Sequence, residues 1–213
     1  MPFSAEHFHR WRKYFPYCAG PLGDLVPHKL HPMMLATGNP EFPVRVNAIG
    51  TRNIHADKTT PDTPEREVPE HVQLQAEFPS GTLLTVTVST VNAKSPGSVL
   101  YAHKATLSVA SSAERVELLP EKEFAEDIDP ETFSGLQAED MRVHEKNWFD
   151  CIRSGAQPNA NIELAVRVQT VISLAEMSDR LKTTCLFDEK TRKVLDAAGK
   201  EIPILTYGTA AES

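Results

Sequence analysis

What this chain lacks narrows its possibilities first. It has no glycine-rich loop of the form G-x-G-x-x-G or G-x-x-x-x-G-K-[ST], so by itself it shows no means of cradling the phosphates of a dinucleotide. G-x-S-x-G, catalytic-cysteine and H-E-x-x-H signatures are missing too. Basic residues cluster only at "RWRKY" (10–14), and the net charge is −7. This argues against nucleic acid and anionic membrane surfaces, which need a concentrated positive patch. Cysteine is scarce: Cys18, Cys151 and Cys185 are odd in number, far apart and form no C-x-x-C. The expectation is a reducing compartment without a disulfide framework. The N-terminus has no apolar signal region, and no run approaches the roughly 20 apolar residues of a membrane span. A cytoplasmic chain is expected.

What is present suits a globular protein. The 213 residues, 40% of them hydrophobic, can bury a sizeable core. We expect one domain over 1–205 and a flexible tail over 206–213. Residues 3–14 read as a short helix capped by Ser4, with Phe3, Phe8, Trp11 and Phe15 three or four apart. The apolar pattern resumes over 22–36 and stops at Gly38. Pro27 is tolerable there only in or near a first turn.

From 43 to 119 the period becomes that of strands. The segments 44–54, 71–78, 82–91, 99–110 and 113–119 predict an antiparallel meander, with a hairpin turn at Pro79-Ser-Gly81. Residues 55–69, polar and rich in proline, predict a surface loop. Helices return after 137. The first carries Met141, Trp148, Cys151 and Ile152 on one side and ends at Gly155. The second starts near Asn161, with Glu163 in its first turn and Val168, Val171, Ile172 and Ala175 as the buried face. Arg167, Thr170 and Arg180 are expected to face away from it. Short edge strands follow. The order predicts an α+β fold: a mainly antiparallel, open-faced sheet with helices packed on one face. The other face is left for a partner subunit or domain.

The stretch "CAGPLGDLVPHKLH" (18–31) concentrates chemistry. Asp24 and His28 are four apart, so one helix face can carry both. A carboxylate beside an imidazole fixes its tautomer and raises its basicity, which suits a general base. Two other readings stay open on spacing alone. In one, Asp24 caps the helix and the histidines are structural; in the other, Asp24, His28 and His31 are three metal ligands.

Longer motifs add a resemblance. "RWRKYFPYCAGPLGDLVPHKLHPM", "REVPEHVQLQAEFPSGTLLTVTVST", "HKATLSV" and "NWFDCIRSGAQPNANIELAVRVQTVISLAEMSDRL" resemble, in order, the C-terminal domain of the glucose–fructose oxidoreductase / inositol dehydrogenase / rhizopine catabolism (Gfo/Idh/MocA) family. The resemblance spans roughly residues 8–190. It implies an NAD(P)-dependent oxidoreductase of sugars, polyols or related carbohydrates. In it His28 is the acid/base at the hydroxyl being oxidised, Asp24 orients it, and hydride passes to the nicotinamide. Tyr14 and Tyr17 line the substrate pocket, and His144 is a further contact. No metal is implied. The open sheet face implies a homo-oligomer.

The family's Rossmann domain, with its nucleotide site and catalytic lysine, has no counterpart in this sequence. The expectation is therefore a truncated product, or a subunit served by a separate nucleotide-binding partner, inactive alone. His31 stands where the family often has Asp, and Pro27 intrudes between Asp24 and His28. Two alternatives remain: a non-enzymatic oligomerisation or sugar-binding module, and, more weakly, a metal-dependent lyase or epimerase.

Overall fold

Residues 3–52, 65–94, 97–112, 114–137 and 139–205 are described by the structure, a computed structural model. In chain order the elements are α1 (Ala5–His9), a 3₁₀ turn (Trp11–Lys13), α2 (Pro21–Asp24), α3 (Val26–Ala36), β1 (Arg45–Thr51), β2 (His71–Glu77), β3 (Leu83–Ser89), β4 (Ser98–Tyr101), β5 (Ala105–Val109), β6 (Arg115–Pro120), a 3₁₀ turn (Lys122–Phe124), β7 (Glu131–Ser134), α4 (Met141–Ser154), α5 (Ile162–Leu181), β8 (Cys185–Asp188) and β9 (Lys193–Leu195). They divide into two compact units, Met1–Asn92 with Ile162–Ser213, and Ala93–Asn161.

The first unit rests on strand alternation. Val46, Ala48, Val72, Leu74, Ala76, Leu84, Val86 and Val88 point inward, while Asn47, Gln73, Gln75, Thr85 and Thr87 point out. The antiparallel register sets Val46 opposite Ala76 and Ala76 opposite Leu84, so the inner face is one apolar surface. The β2–β3 hairpin turns where expected. The Gly81 amide donates to the Phe78 carbonyl at 2.9 Å, and Gly81 supplies the positive φ of 83°. With β8 and β9 the sheet has five strands, ordered β3-β2-β1-β8-β9.

α5 covers the inner face through Leu164, Val168, Val171, Ile172 and Ala175, and α3 adds Val26, Leu30 and Met34. The expected caps are in place: Ser4 Oγ accepts from the His7 amide at 3.3 Å, and Gly38 (φ 73°) follows α3. One expectation about α5 fails. Arg180 does not face solvent; its guanidinium stacks on Phe15 at 4.5 Å and pairs with Glu176 at 2.8 Å. The last turns of α5 are buried all round, so Glu176, Ser178 and Asp179 are enclosed as well.

Those enclosed polar groups serve the sheet. β1 pairs with β8 only at Arg45 and Val46. Beyond that, the Ala48 amide donates to Ser178 Oγ at 2.9 Å and the Gly50 amide to Asp179 Oδ1 at 2.8 Å. Helix side chains thus complete the strand edge where β8 stops, as buried amides require.

The second unit is a four-stranded antiparallel sheet, β4-β5-β6-β7, with α4. Leu100, Leu107 and Leu118 sit in one cross-strand row. α4 is capped by Asp140, whose Oδ1 accepts from the Arg142 amide at 2.9 Å, and it ends at left-handed Gly155 as expected. Two sheets therefore replace the single meander. The stretch 99–110 is not one strand but the hairpin β4–β5, reversed where the Ala102 amide donates to the Ala105 carbonyl at 3.1 Å. That reversal contains neither glycine nor proline, so alternation alone did not reveal it; β7 was not expected. Most of the 55–69 loop and the 206–213 tail lie outside the described residues. None of the described helices is long and apolar enough to cross a membrane.

Candidate functional site

The segment carrying Asp24 and His28 is shaped by two residues. Gly20 has φ 64° and ψ −143°, a backbone region that is essentially glycine's alone. A Cβ there would meet Val68 Cβ at 3.0 Å. Gly20 thus turns the chain into α2, with Pro21 at its first position and Leu22 anchored in the core. Pro27 then breaks the helix. Without an N–H it cannot bond back to the preceding turn, so α2 ends at Asp24 and α3 begins at Val26 with Pro27 in its first turn. The apolar stretch 22–36 is thus divided between two helices, with Pro27 in a first turn as expected.

The break separates two groups that the spacing had joined. Asp24 Oδ2 accepts from Arg12 Nε at 2.9 Å, and no hydrogen bond links Asp24 to His28 among the described residues. The Arg12 guanidinium also lies over Trp11, 4.3 Å from the ring centroid. His28 is exposed on α3, and its imidazole makes no hydrogen bond or ion pair among the described residues. His31 Nδ1 lies 2.9 Å from the Pro27 carbonyl, a bond that holds its ring along α3. Among the described residues no three His, Cys, Asp or Glu side chains are grouped to hold a metal.

Tyr14 and Tyr17 lie in a cluster the sequence did not announce. Tyr14 is fully buried, its hydroxyl donates to Glu6 Oε1 at 3.1 Å, and His7 stacks on its ring with centroids 4.1 Å apart. Burial, then the bond to Glu6, pushes the Tyr14 phenol up to about 12. Tyr17 stays partly exposed, with its hydroxyl 3.2 Å from His7 Nδ1. Buried Lys13 reaches Glu6 Oε1 at 3.3 Å. Glu6, His7, Arg12 and Lys13 are thus the site-adjacent residues that sequence reasoning missed. Arg12 stood inside a quoted motif, but nothing local tied it to a carboxylate twelve residues on. His144 belongs to the second unit, exposed in the first turns of α4, with Nδ1 3.9 Å from Glu139 Oε2.

A shallow depression of about 300 Å³ lies elsewhere, on the outward face of the five-stranded sheet. It is lined by Arg45, Asn47, Gln75, Glu77, Leu83 and Thr184, across the sheet from α3. No dinucleotide cradle exists among the described residues. Both sheets are antiparallel, and no glycine turn joins a strand to a helix as phosphate binding requires.

Residues 2–108 match the model of the GFO/IDH/MocA C-terminal domain. The chain belongs to that family. Solved structures agree on the fold. The Klebsiella pneumoniae NAD binding oxidoreductase is 19% identical with a TM-score of 0.64, covering 86% of this chain and 53% of its own. Aldose-aldose oxidoreductase from Caulobacter crescentus, solved with glycerol, is 18% identical with a TM-score of 0.63, covering 87% and 52%. UDP-N-acetylglucosamine 3-dehydrogenase from Acidithiobacillus ferrooxidans is 14% identical with a TM-score of 0.58, covering 84% and 50%. No curated protein sequence matches the chain. The chain spans about half the length of these solved structures.

The GFO/IDH/MocA match takes in the whole of the Tyr14–His31 segment and ends within β5. The chain's fold class is α+β, as the sequence led us to expect.

Proposed function

We propose that this chain is the substrate-binding half of an NAD(P)-dependent oxidoreductase acting on a sugar, polyol or related carbohydrate, inactive until a nucleotide-binding domain joins it. The observation that carries the reading is the exposed, unengaged imidazole of His28, in the segment matched to the family. The names of two solved relatives, an aldose-aldose oxidoreductase and a UDP-N-acetylglucosamine dehydrogenase, support the substrate class. The described residues form no dinucleotide cradle, so the cofactor's share of the reaction would fall to a nucleotide-binding domain.

The chain's own share is proton handling. His28 would take the proton from the substrate hydroxyl, a step for which a neutral imidazole within hydrogen-bond reach is suited. Asp24, held by Arg12, would act on His28 through its charge rather than through a hydrogen bond. Tyr17 would offer its hydroxyl to the substrate, and Tyr14 would form the rigid wall behind it. We also infer a homo-oligomer through the outward sheet face, where Ile49 and Leu83 stand exposed among threonine and glutamine side chains.

The test is a titration of the isolated chain with glucose, myo-inositol and glycerol, followed at the His28 imidazole by NMR. A saturable shift that vanishes in His28→Asn is expected. Binding that leaves His28 silent would favour the non-enzymatic sugar-binding alternative, and no binding by any of the three would remove the carbohydrate reading.

A further inference from the structure

α1 sets an imidazole between two tyrosines, all three within the first unit. His7 lies flat on Tyr14, with ring centroids 4.1 Å apart and planes 18° from parallel. It meets Tyr17 edge-on, at 85°, with Nδ1 3.2 Å from the phenolic oxygen. The stack has a fixed base. Tyr14 is fully buried and its hydroxyl donates to Glu6 Oε1 at 3.1 Å, so the ring beneath His7 is held. Ser4 Oγ accepts from the His7 amide at 3.3 Å and fixes the backbone that carries the imidazole. The plane of the imidazole, and with it the in-plane lone pair of Nδ1, is therefore set before any ligand arrives.

The charge beside it is already balanced. Glu6, next to His7 in the chain, is met by Lys13 Nζ at 3.3 Å on Oε1 and by Arg10 Nε at 3.7 Å on Oε2. His7 itself makes no ion pair among the described residues. Its contact with Tyr17 is thus a hydrogen bond between an imidazole and a phenol. A neutral imidazole has one accepting and one donating nitrogen. A phenol O–H is a better donor than an imidazole N–H, and the bare imidazole nitrogen is a better acceptor than a phenolic oxygen. The hydrogen in this bond therefore belongs to Tyr17, and the His7 proton sits on Nε2. With its one hydrogen engaged, the Tyr17 hydroxyl meets a ligand as an acceptor, and the bond it donates polarises the oxygen into a stronger one.

We infer that His7 is a positioning residue: it takes the hydroxyl hydrogen of Tyr17 in a hydrogen bond and so directs the Tyr17 oxygen to accept from a hydroxyl group of a sugar or polyol. This rests on the reading above that Tyr17 meets such a substrate. His7 itself touches no reacting atom and acts only through Tyr17.

Two substitutions separate the hydrogen bond from the stack. His7→Phe keeps a flat ring on Tyr14 and loses the acceptor. His7→Asn loses the ring and places an amide oxygen where Nδ1 stood. Binding of myo-inositol, glucose and glycerol to the full chain, measured by calorimetry, should weaken about 2- to 10-fold in His7→Phe, the range that one hydrogen bond spans, and recover at least in part in His7→Asn. Tyr17→Phe should weaken binding by a similar factor, and adding His7→Phe to it should change nothing more. Nitrogen-15 NMR of the ligand-free chain at about pH 9, where an ordinary imidazole is neutral, should show the His7 proton on Nε2, with a mixture of tautomers in Tyr17→Phe. Unchanged affinity in His7→Phe, additive losses in the double variant, or a proton resting on Nδ1 overturns the inference and leaves the carbohydrate reading standing. Where His7→Asn unsettles the N-terminal segment, the tautomer in the native chain still decides. Binding of none of the three polyols removes the carbohydrate reading and this inference with it, so the two failures are told apart.

Discussion

Arg12 Nε lies 2.9 Å from Asp24 Oδ2, and this ion pair ties the N-terminal segment to the last residue of α2. The pair is largely solvated, with 59% and 31% of the two side chains exposed. Its value is orientation more than stability. A double-mutant cycle with Arg12→Ala and Asp24→Asn should give a coupling of about 0.2–1 kcal/mol in urea unfolding. In roughly 1 M salt the coupling should disappear. A coupling well above that range would mean that the pair is a structural clasp.

Tyr14 supplies a pH signature. Its folded-state value, about 12, lies above the ordinary 10.0, so the fold favours the protonated phenol. That contribution is fully present below pH 10 and is lost as pH rises toward 12. The urea midpoint of the native chain should fall across this window, and Tyr14→Phe should flatten the fall. Absorbance titration should show one of the four tyrosines ionising late.

The α5–β1 seam should be sensitive to single atoms. Ser178→Ala strands the Ala48 amide, so a loss of about 1–3 kcal/mol is expected. At Gly50 an added Cβ would stand 2.7 Å from Pro69 Cβ and 2.8 Å from Asp179 Oδ2. Gly50→Ala should therefore cost about 1–3 kcal/mol through overpacking. Chemical denaturation of both variants checks this, and unchanged midpoints would contradict the seam as described.

The thiols should be silent in the native chain. Cys18, Cys151 and Cys185 are all buried, and burial raises the Cys18 thiol and pushes the Cys185 thiol up to about 11. Ellman's reagent at pH 8 should label none of the three within minutes and all three in guanidinium.

The sequence reading succeeded where the signal is local. Period-two alternation located β1, β2 and β3 and sorted their faces, because neighbouring side chains on a strand must point opposite ways. The α5 core, Val168 to Ala175, followed from helical spacing, and Ser4, Gly38 and Gly155 marked ends through capping chemistry that acts within a few residues. The constraint that Pro27 imposes was also legible, but its consequence was underestimated: it ends one helix and starts another.

Composition and periodicity by themselves determined the fold class, the strand faces, the helix ends and the segment in which the candidate site lies. Tertiary structure alone decided which groups meet there. It gave Asp24 to Arg12 rather than to His28, enclosed Tyr14 beneath His7 and against Glu6, buried Arg180 on Phe15, and set α5 side chains on the open edge of β1. The reason is physical. Alternation, caps and helix breaks are dictated by backbone sterics and hydrogen bonding over a few residues, whereas a side chain's partner depends on which distant surface packing brings within about 3 Å of it.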